Sequence, residues 1–219
     1  MTVLHAELGQ RVAVDTAAMP WTVHDGIEEK LLEHAPGPKG LRRTMLLRLP
    51  AASSVPPPGV AGGSFDVFVL EGSLRDGALV HAPGAYVHAP SDRALATDGG
   101  CTLFVKQRPA HRPARRVVDT RYIVFERSYT AGLWEAPLYS DPAGRVVLLR
   151  FDPGAKIGHH HHDDGEEFFV LAGELHDEFG RYPEHAWTRQ PPDSSHAVES
   201  LRGAMMLTFA HHLQHARSS

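Results

Sequence analysis

The sequence predicts an all-β protein built from two tandem copies of one unit. Seventeen prolines and twenty glycines are spread along 219 residues, cutting the chain into segments of strand length. The apolar runs between them are short, and helical periodicity is weak. The chain also matches itself at an offset of about 101 residues: LLRLP (46–50) with LLRFD (148–152), FVLEG (68–72) with FVLAG (169–173), SLRD (73–76) with ELHD (174–177), GAY (84–86) with HAW (185–187), and Pro90 with Pro191. Several matches in one order at nearly one offset indicate a duplicated domain.

Each copy opens on an apolar strand, about 42–49 and 145–151, followed by a loop and a second strand, 66–71 and 167–172. A hairpin and a proline turn follow, and the closing strands are CTLFVK (101–106) and MMLTF (205–209). GIEEKLLE (26–33) reads as a short helix or, equally, an additional strand, because the matching stretch near Trp134 has no helical pattern. The expected boundaries are an N-terminal extension at 1–16, a first domain at 17–108, a linker at 109–121 and a second domain at 122–212.

Bulk properties exclude several classes of function. With 22 basic and 26 acidic residues the formal charge is -4, so there is no electrostatic case for nucleic-acid binding. RPAHRPARR (108–116) is basic but interrupted by proline, and reads as linker. One cysteine, Cys101, cannot build a disulfide framework or a cysteine-rich zinc cluster. No run approaches the ~18 apolar residues of a membrane span, and MTVLHAELGQ lacks a signal-peptide core. The expectation is a cytoplasmic protein with no membrane partner.

The chemistry concentrates in GHHHHDDGEEFFVLAG (158–173). In an extended chain alternate side chains share a face, so His160 and His162 point one way and His159 and His161 the other. Imidazole with carboxylate suits a divalent transition metal: zinc, iron, nickel or manganese. A further ligand has to come from elsewhere, and His196, at the end of the turn segment RQPPDSSH (189–196), is the best-placed candidate. One of Glu166 and Glu167 reads as a ligand candidate and the other as part of a charged turn. At the matching positions the first copy has Gly59, Ala61, Phe65 and Leu95, none of which ligates through its side chain. His81 and His88 of that copy read as surface or strand histidines. His211, His212 and His215 contain an i, i+4 pair but read as a solvated terminus. His176 and Asp177 are candidates to orient a ligand imidazole, or plain hairpin residues. Phe168, Val170, Tyr182 and Trp187 read as lining or core.

PGAKIGHHHHDDGEEFFVLAG (153–173) resembles the first cupin motif, and PPDSSH (191–196) the second, with Asp193 where glycine is usual. Together with DEFG (177–180), these segments make the second copy similar to the ChrR-like cupin family. The resemblance covers about 122–210 directly and 17–108 through the repeat. It implies two double-stranded β-helix barrels of jelly-roll type. It also implies His160, His162, Glu166 and His196 as ligands, because the family's spacing to Gly173 selects Glu166 over Glu167. The sigma-binding domain of the family, which holds zinc through a His and Cys pattern, has no counterpart in residues 1–16, so direct sigma-factor binding is not expected.

Two functional expectations follow. The first is a metal-dependent, small-molecule- or oxidant-responsive binding or regulatory protein. The second is an iron-type dioxygenase for a small enolisable compound of β-dicarbonyl or flavonol type, with Glu166 as ligand and proton acceptor. The first copy reads as a structural unit, and edge strands make a homodimer the expected assembly.

Overall fold

The computed structural model describes residues 3–37, 40–55, 63–109, 114–142, 144–211 and 213. It is all-β: among the described residues the only helical elements are two 3-10 turns, Thr16–Ala18 and Thr120–Tyr122. The chain forms two compact units, one of Met1–Ala6 with Pro20–Ile123 and one of Glu7–Met19 with Val124–Ser219.

Each unit pairs a seven-stranded sheet with a four-stranded sheet, and the strand order is the same in both. In the second unit the larger sheet runs Val12–Val14, Trp187–Gln190, Glu166–Gly173, Ala204–Ala210, Gly144–Phe151, Leu133–Asp141, Glu126–Arg127. Its smaller sheet runs Ala155–His162, Ser194–Ser200, Leu175–Asp177, Gly180–Tyr182. The period-2 pattern selects the inner faces. Phe65, Val67 and Val69 share one core with Leu47, Leu95 and Leu103, and Phe168 and Val170 share another with Phe151, Tyr182, Val198 and Met206.

The open choice at 26–33 falls to strand. Ile27–Gly37 pairs along its length with Gly40–Leu49, and Leu32 is fully buried, so ladder pairing overrides the helical look of the sequence. The repeated glycine after FVLE and FVLA has a steric cause. Gly72 and Gly173 have φ of 72° and 76°, and a Cβ on either would lie 2.2 Å from the carbonyl oxygen of Gly100 or Gly203.

The segments expected as extension and linker both carry edge strands. Val12–Val14 pairs with Trp187–Gln190, placing Val12 opposite Arg189, and Arg116–Asp119 pairs with Ala85–Pro90, placing Arg116 opposite His88. Each strand runs into a 3-10 turn capped by an aspartate, Asp15 or Asp119. Each then anchors a threonine: the Thr16 hydroxyl donates to the His185 carbonyl at 2.8 Å, and that of Thr120 to the Gly84 carbonyl at 2.6 Å. The signal was present as RVAVDT (11–16) and RRVVDT (115–120), which belong to the repeat at a slightly larger offset.

Candidate metal centre

Ala155–His162 lies antiparallel to Ser194–Ser200, with His160 directly opposite His196 and His162 opposite Ser194. A register shift between Ile157 and His160 sets which side chains face the barrel interior. The result is three imidazoles, of His160, His162 and His196, whose potential ligand atoms all lie within 4.8 Å of one another. Their ring centroids are 4.7 to 5.0 Å apart.

Hydrogen bonds fix two of the rings. The Nδ1–H of His196 donates to Asp177 Oδ2 at 2.9 Å, and the Nδ1–H of His160 donates to the Gly158 carbonyl at 3.0 Å. Both bonds leave Nε2 with its lone pair bare, which is the tautomer a ligand imidazole needs. Nε2 of His162 and of His196 are buried and have no hydrogen-bond partner among the described residues. An unpaired buried nitrogen is costly, and a shared cation is the chemistry that satisfies both at once. A divalent metal therefore fits this donor set. Burial, with the neighbouring imidazoles and Arg11 adding to it, holds the His162 imidazolium down to about 3, and burial likewise lowers His160. Both rings are thus neutral at pH 7.

Asp177 is the residue on which this arrangement turns. Burial pushes its carboxyl upward, but hydrogen bonds from His196, Tyr182 and the Phe179 N–H hold it below the ordinary carboxylate range. The Tyr182 hydroxyl donates to Asp177 Oδ1 at 2.8 Å, and the N–H groups of Phe179 and Gly180 donate to the same oxygen at 2.8 and 3.0 Å. Of the two orienting candidates, Asp177 reaches a ligand and His176 does not: His176 bonds Glu174 at 2.6 Å.

Glu166 opens the strand Glu166–Gly173 and lies opposite Gln190 and Ala210. It lines, with the three histidines, a cavity of about 400 Å³ whose apolar wall includes Leu133, Val147, Leu149, Ile157, Phe168 and Met206. The carboxyl of Glu166 is raised to about 7 by burial, which Arg145 only partly offsets. The histidine cluster within 4.8 Å does not itself include Glu166, which stands in the cavity wall beside it.

The other sequence candidates fall outside the cluster. The His159 side chain is 69% exposed and lies 3.8 Å from Glu178. His161 sits at the cavity rim, 3.2 Å from Asp163. Glu167 is fully buried, 4.0 Å from Arg189. Trp187 is fully buried too. His211 reaches Asp164 at 3.3 Å, while His212 and His215 lie outside the described residues. In the first unit, His88 is a buried strand histidine bonded to Asp66 at 2.7 Å, and His81 ends the strand Leu79–His81.

The first unit fills the equivalent interior with hydrocarbon. Phe65, matching Glu166, is 2% exposed in its core, but the match expected for His196 is corrected by the register: Ala96 pairs with Arg75 as Glu199 pairs with His176, so Leu95 is the counterpart of Val198, and Arg93, bonded to Asp76, is that of His196. At ~1.5–3 kcal/mol for a buried side chain such as Phe65, this copy gains stability where the second keeps a polar group. Gly59 and Ala61 lie outside the described residues. The departure at Asp193 also has a physical basis, since its φ is 62°, in the left-handed region where glycine is the usual occupant. Asp193→Gly is expected to leave metal affinity unchanged and to raise the melting temperature by up to about 2–4 °C, the equivalent of relieving ~1 kcal/mol of strain. A fall on calorimetric melting would contradict this.

A model described as the ChrR cupin-like domain matches the chain twice, over residues 9–111 and 113–216. No curated protein matches it in sequence. Solved structures share the fold. The YlbA protein of Escherichia coli aligns at a TM-score of 0.73 and 11% identity, over 94% of this chain and 93% of its own. A candidate dioxygenase of Nostoc punctiforme aligns at 0.73 and 15%, over 94% and 84%. Oxalate decarboxylase of Bacillus subtilis aligns at 0.64 and 10%, over 95% and 78%. At such identities the likeness concerns the fold alone.

Proposed function

From the premise that the chain belongs to the ChrR cupin-like domain family, we propose that it is a metal-dependent binding protein for a small molecule or oxidant, with one site in the second barrel. The observation that carries this reading is the pair of buried, unpartnered Nε2 atoms of His162 and His196, set beside His160 at the wall of a 400 Å³ cavity. His160, His162 and His196 would hold the ion, with Glu166 as the fourth ligand. Zinc, iron, nickel and manganese all suit this donor set. A bound divalent metal supplies Lewis-acid polarisation of an oxygen donor on the ligand. The protein's own groups do the rest: Asp177 and the Gly158 carbonyl hold two imidazoles in their ligating tautomer, and Leu133, Leu149, Phe168 and Met206 cover the apolar part of the ligand.

A second reading, an iron-type dioxygenase for a small enolisable compound, is favoured by Glu166. Its buried carboxyl, raised to about 7 in the metal-free protein, stands in the cavity wall where an acidic C–H or enol of a bound ligand would meet it. Elemental analysis of untagged protein, purified without a nickel column, is expected to give one transition metal per chain. Less than a tenth of an equivalent, with no uptake on addition of zinc, iron, nickel or manganese, would overturn both readings. Oxygen uptake with β-dicarbonyl or flavonol compounds by the iron-loaded protein decides for the enzyme, and full iron occupancy without uptake decides for the binding protein.

A further inference from the structure

The two repeats carry the same arginine at the head of the same edge strand. Arg11 precedes Val12–Val14 and Arg115 precedes Arg116–Asp119, and the strands dock in equivalent registers, against Arg189 and His88. In the first unit Arg115 grips Asp76, with Nε donating to Oδ2 at 2.7 Å and Nη2 at 2.6 Å from the same oxygen. Asp76 is the repeat partner of Asp177, the carboxylate that orients His196. Asp76 holds no imidazole, because by sheet register Arg93 stands where His196 would be, and Arg93 and Arg115 neutralise it instead.

In the second unit the carboxylate is already committed to His196 and Tyr182. Arg11 takes the next available place: its guanidinium lies 3.6 Å from the centroid of the Phe179 ring. Phe179 belongs to the turn that cradles Asp177, since its own N–H and that of Gly180 both donate to Asp177 Oδ1. Nη1 of Arg11 is buried and has no hydrogen-bond acceptor among the described residues, so the ring face is its main partner. A continuous set of contacts thus runs from Arg11 through Phe179 and Asp177 to the imidazole of His196. The segment that carries Arg11 is itself held to this unit: the Thr188 hydroxyl donates to the Val12 carbonyl at 2.7 Å, and Arg189 Nη2 to the Glu7 carbonyl at 3.1 Å.

We propose that Arg11 is a positioning residue of the metal centre, and that the strand ahead of the first repeat is a working part of the site in the second. Arg11 clamps the 177–180 turn so that Asp177 presents His196 in ligating geometry. This rests on the metal reading above. The test uses the full chain and Co²⁺, with affinity measured by chelator competition and coordination read from the visible absorption band. The wild type is expected to bind one Co²⁺. Arg11→Ala and Phe179→Leu are each expected to weaken binding roughly tenfold, the low end for outer-shell partners, and to alter the band. Combining them should be no worse than either alone, while Arg11→Lys, which keeps a cation over the ring, restores most of the affinity. Should Arg11→Ala fail to fold, Phe179→Leu carries the same expectation at a half-exposed position. Wild-type affinity with an unchanged band in the folded variants, even at a lowered melting temperature, would make the strand purely structural and overturn the proposal. A wild type that binds no Co²⁺ would overturn the metal reading with it.

Discussion

His196→Leu is expected to abolish stoichiometric metal binding while leaving the metal-free protein at least as stable as metal-free wild type. Removing one of three imidazoles should weaken affinity by more than about 100-fold, beyond the range for outer-shell changes. The stability half of the expectation comes from the buried imidazole itself. In the second unit His196 is 1% exposed with an unpartnered Nε2, a cost of about 1–3 kcal/mol that leucine removes while adding apolar burial. Asp177 keeps three donors when the imidazole goes, from Tyr182, Phe179 and Gly180, so its charge is not stranded. The metal-free variant should therefore melt equal to or up to about 2–4 °C above metal-free wild type. Metal titration and calorimetry in a chelator check both halves. One tightly bound equivalent in the variant would remove His196 from the site, and a fall of many degrees would mean that His196 serves the fold.

That separation between site and scaffold is also what made much of the site legible in sequence. Alternation along an extended chain puts His160 and His162 on one face, and the structure brings both to His196 across the sheet. The repeat showed that the first copy lacks a ligand at the Glu166 position, where Phe65 stands, but its constant offset set His196 against Leu95, whereas the sheet register sets it against Arg93. Other features required the fold. Whether 26–33 was helix or strand depended on its partner, Gly40–Leu49, which local pattern does not reveal. The cradle around Asp177 is made of backbone N–H groups, which carry no sequence signature. The edge strands at Val12–Val14 and Arg116–Asp119 are three and four residues long, too short for a periodicity signal, and only RVAVDT beside RRVVDT marks them. The role of Arg11 was the least visible, since sequence places it far from the histidines and pairing alone brings it to Phe179.

In metal-free protein, Glu166 and His162 are expected to oppose each other in the pH dependence of stability. The folded state holds the Glu166 proton up to about 7, whereas the unfolded carboxyl releases it near its ordinary value of 4.5. This contribution is full below 4.5 and is lost as pH rises to 7. His162 behaves in the opposite sense. Its folded form stays neutral down to about 3 while the unfolded imidazole takes up a proton near 6.5, so its contribution is full above 6.5 and is lost as pH falls. Between 4.5 and 6.5 the two slopes largely cancel. Glu166→Gln removes one of them, so the variant should lose stability on acidification across that window about 1 kcal/mol per pH unit more steeply than wild type, somewhat below the ideal value for one proton because both groups keep some solvent contact. Urea denaturation in a chelator at several pH values gives the comparison. Parallel curves would mean that Glu166 is already ionised in the metal-free cavity. A bound metal would add its own linkage, because it must displace the Glu166 proton below pH 7 if that carboxylate is a ligand. Proton release on metal binding, measured calorimetrically in buffers of different ionisation heat, should then be present in wild type at pH 6 and smaller by about one proton in Glu166→Gln.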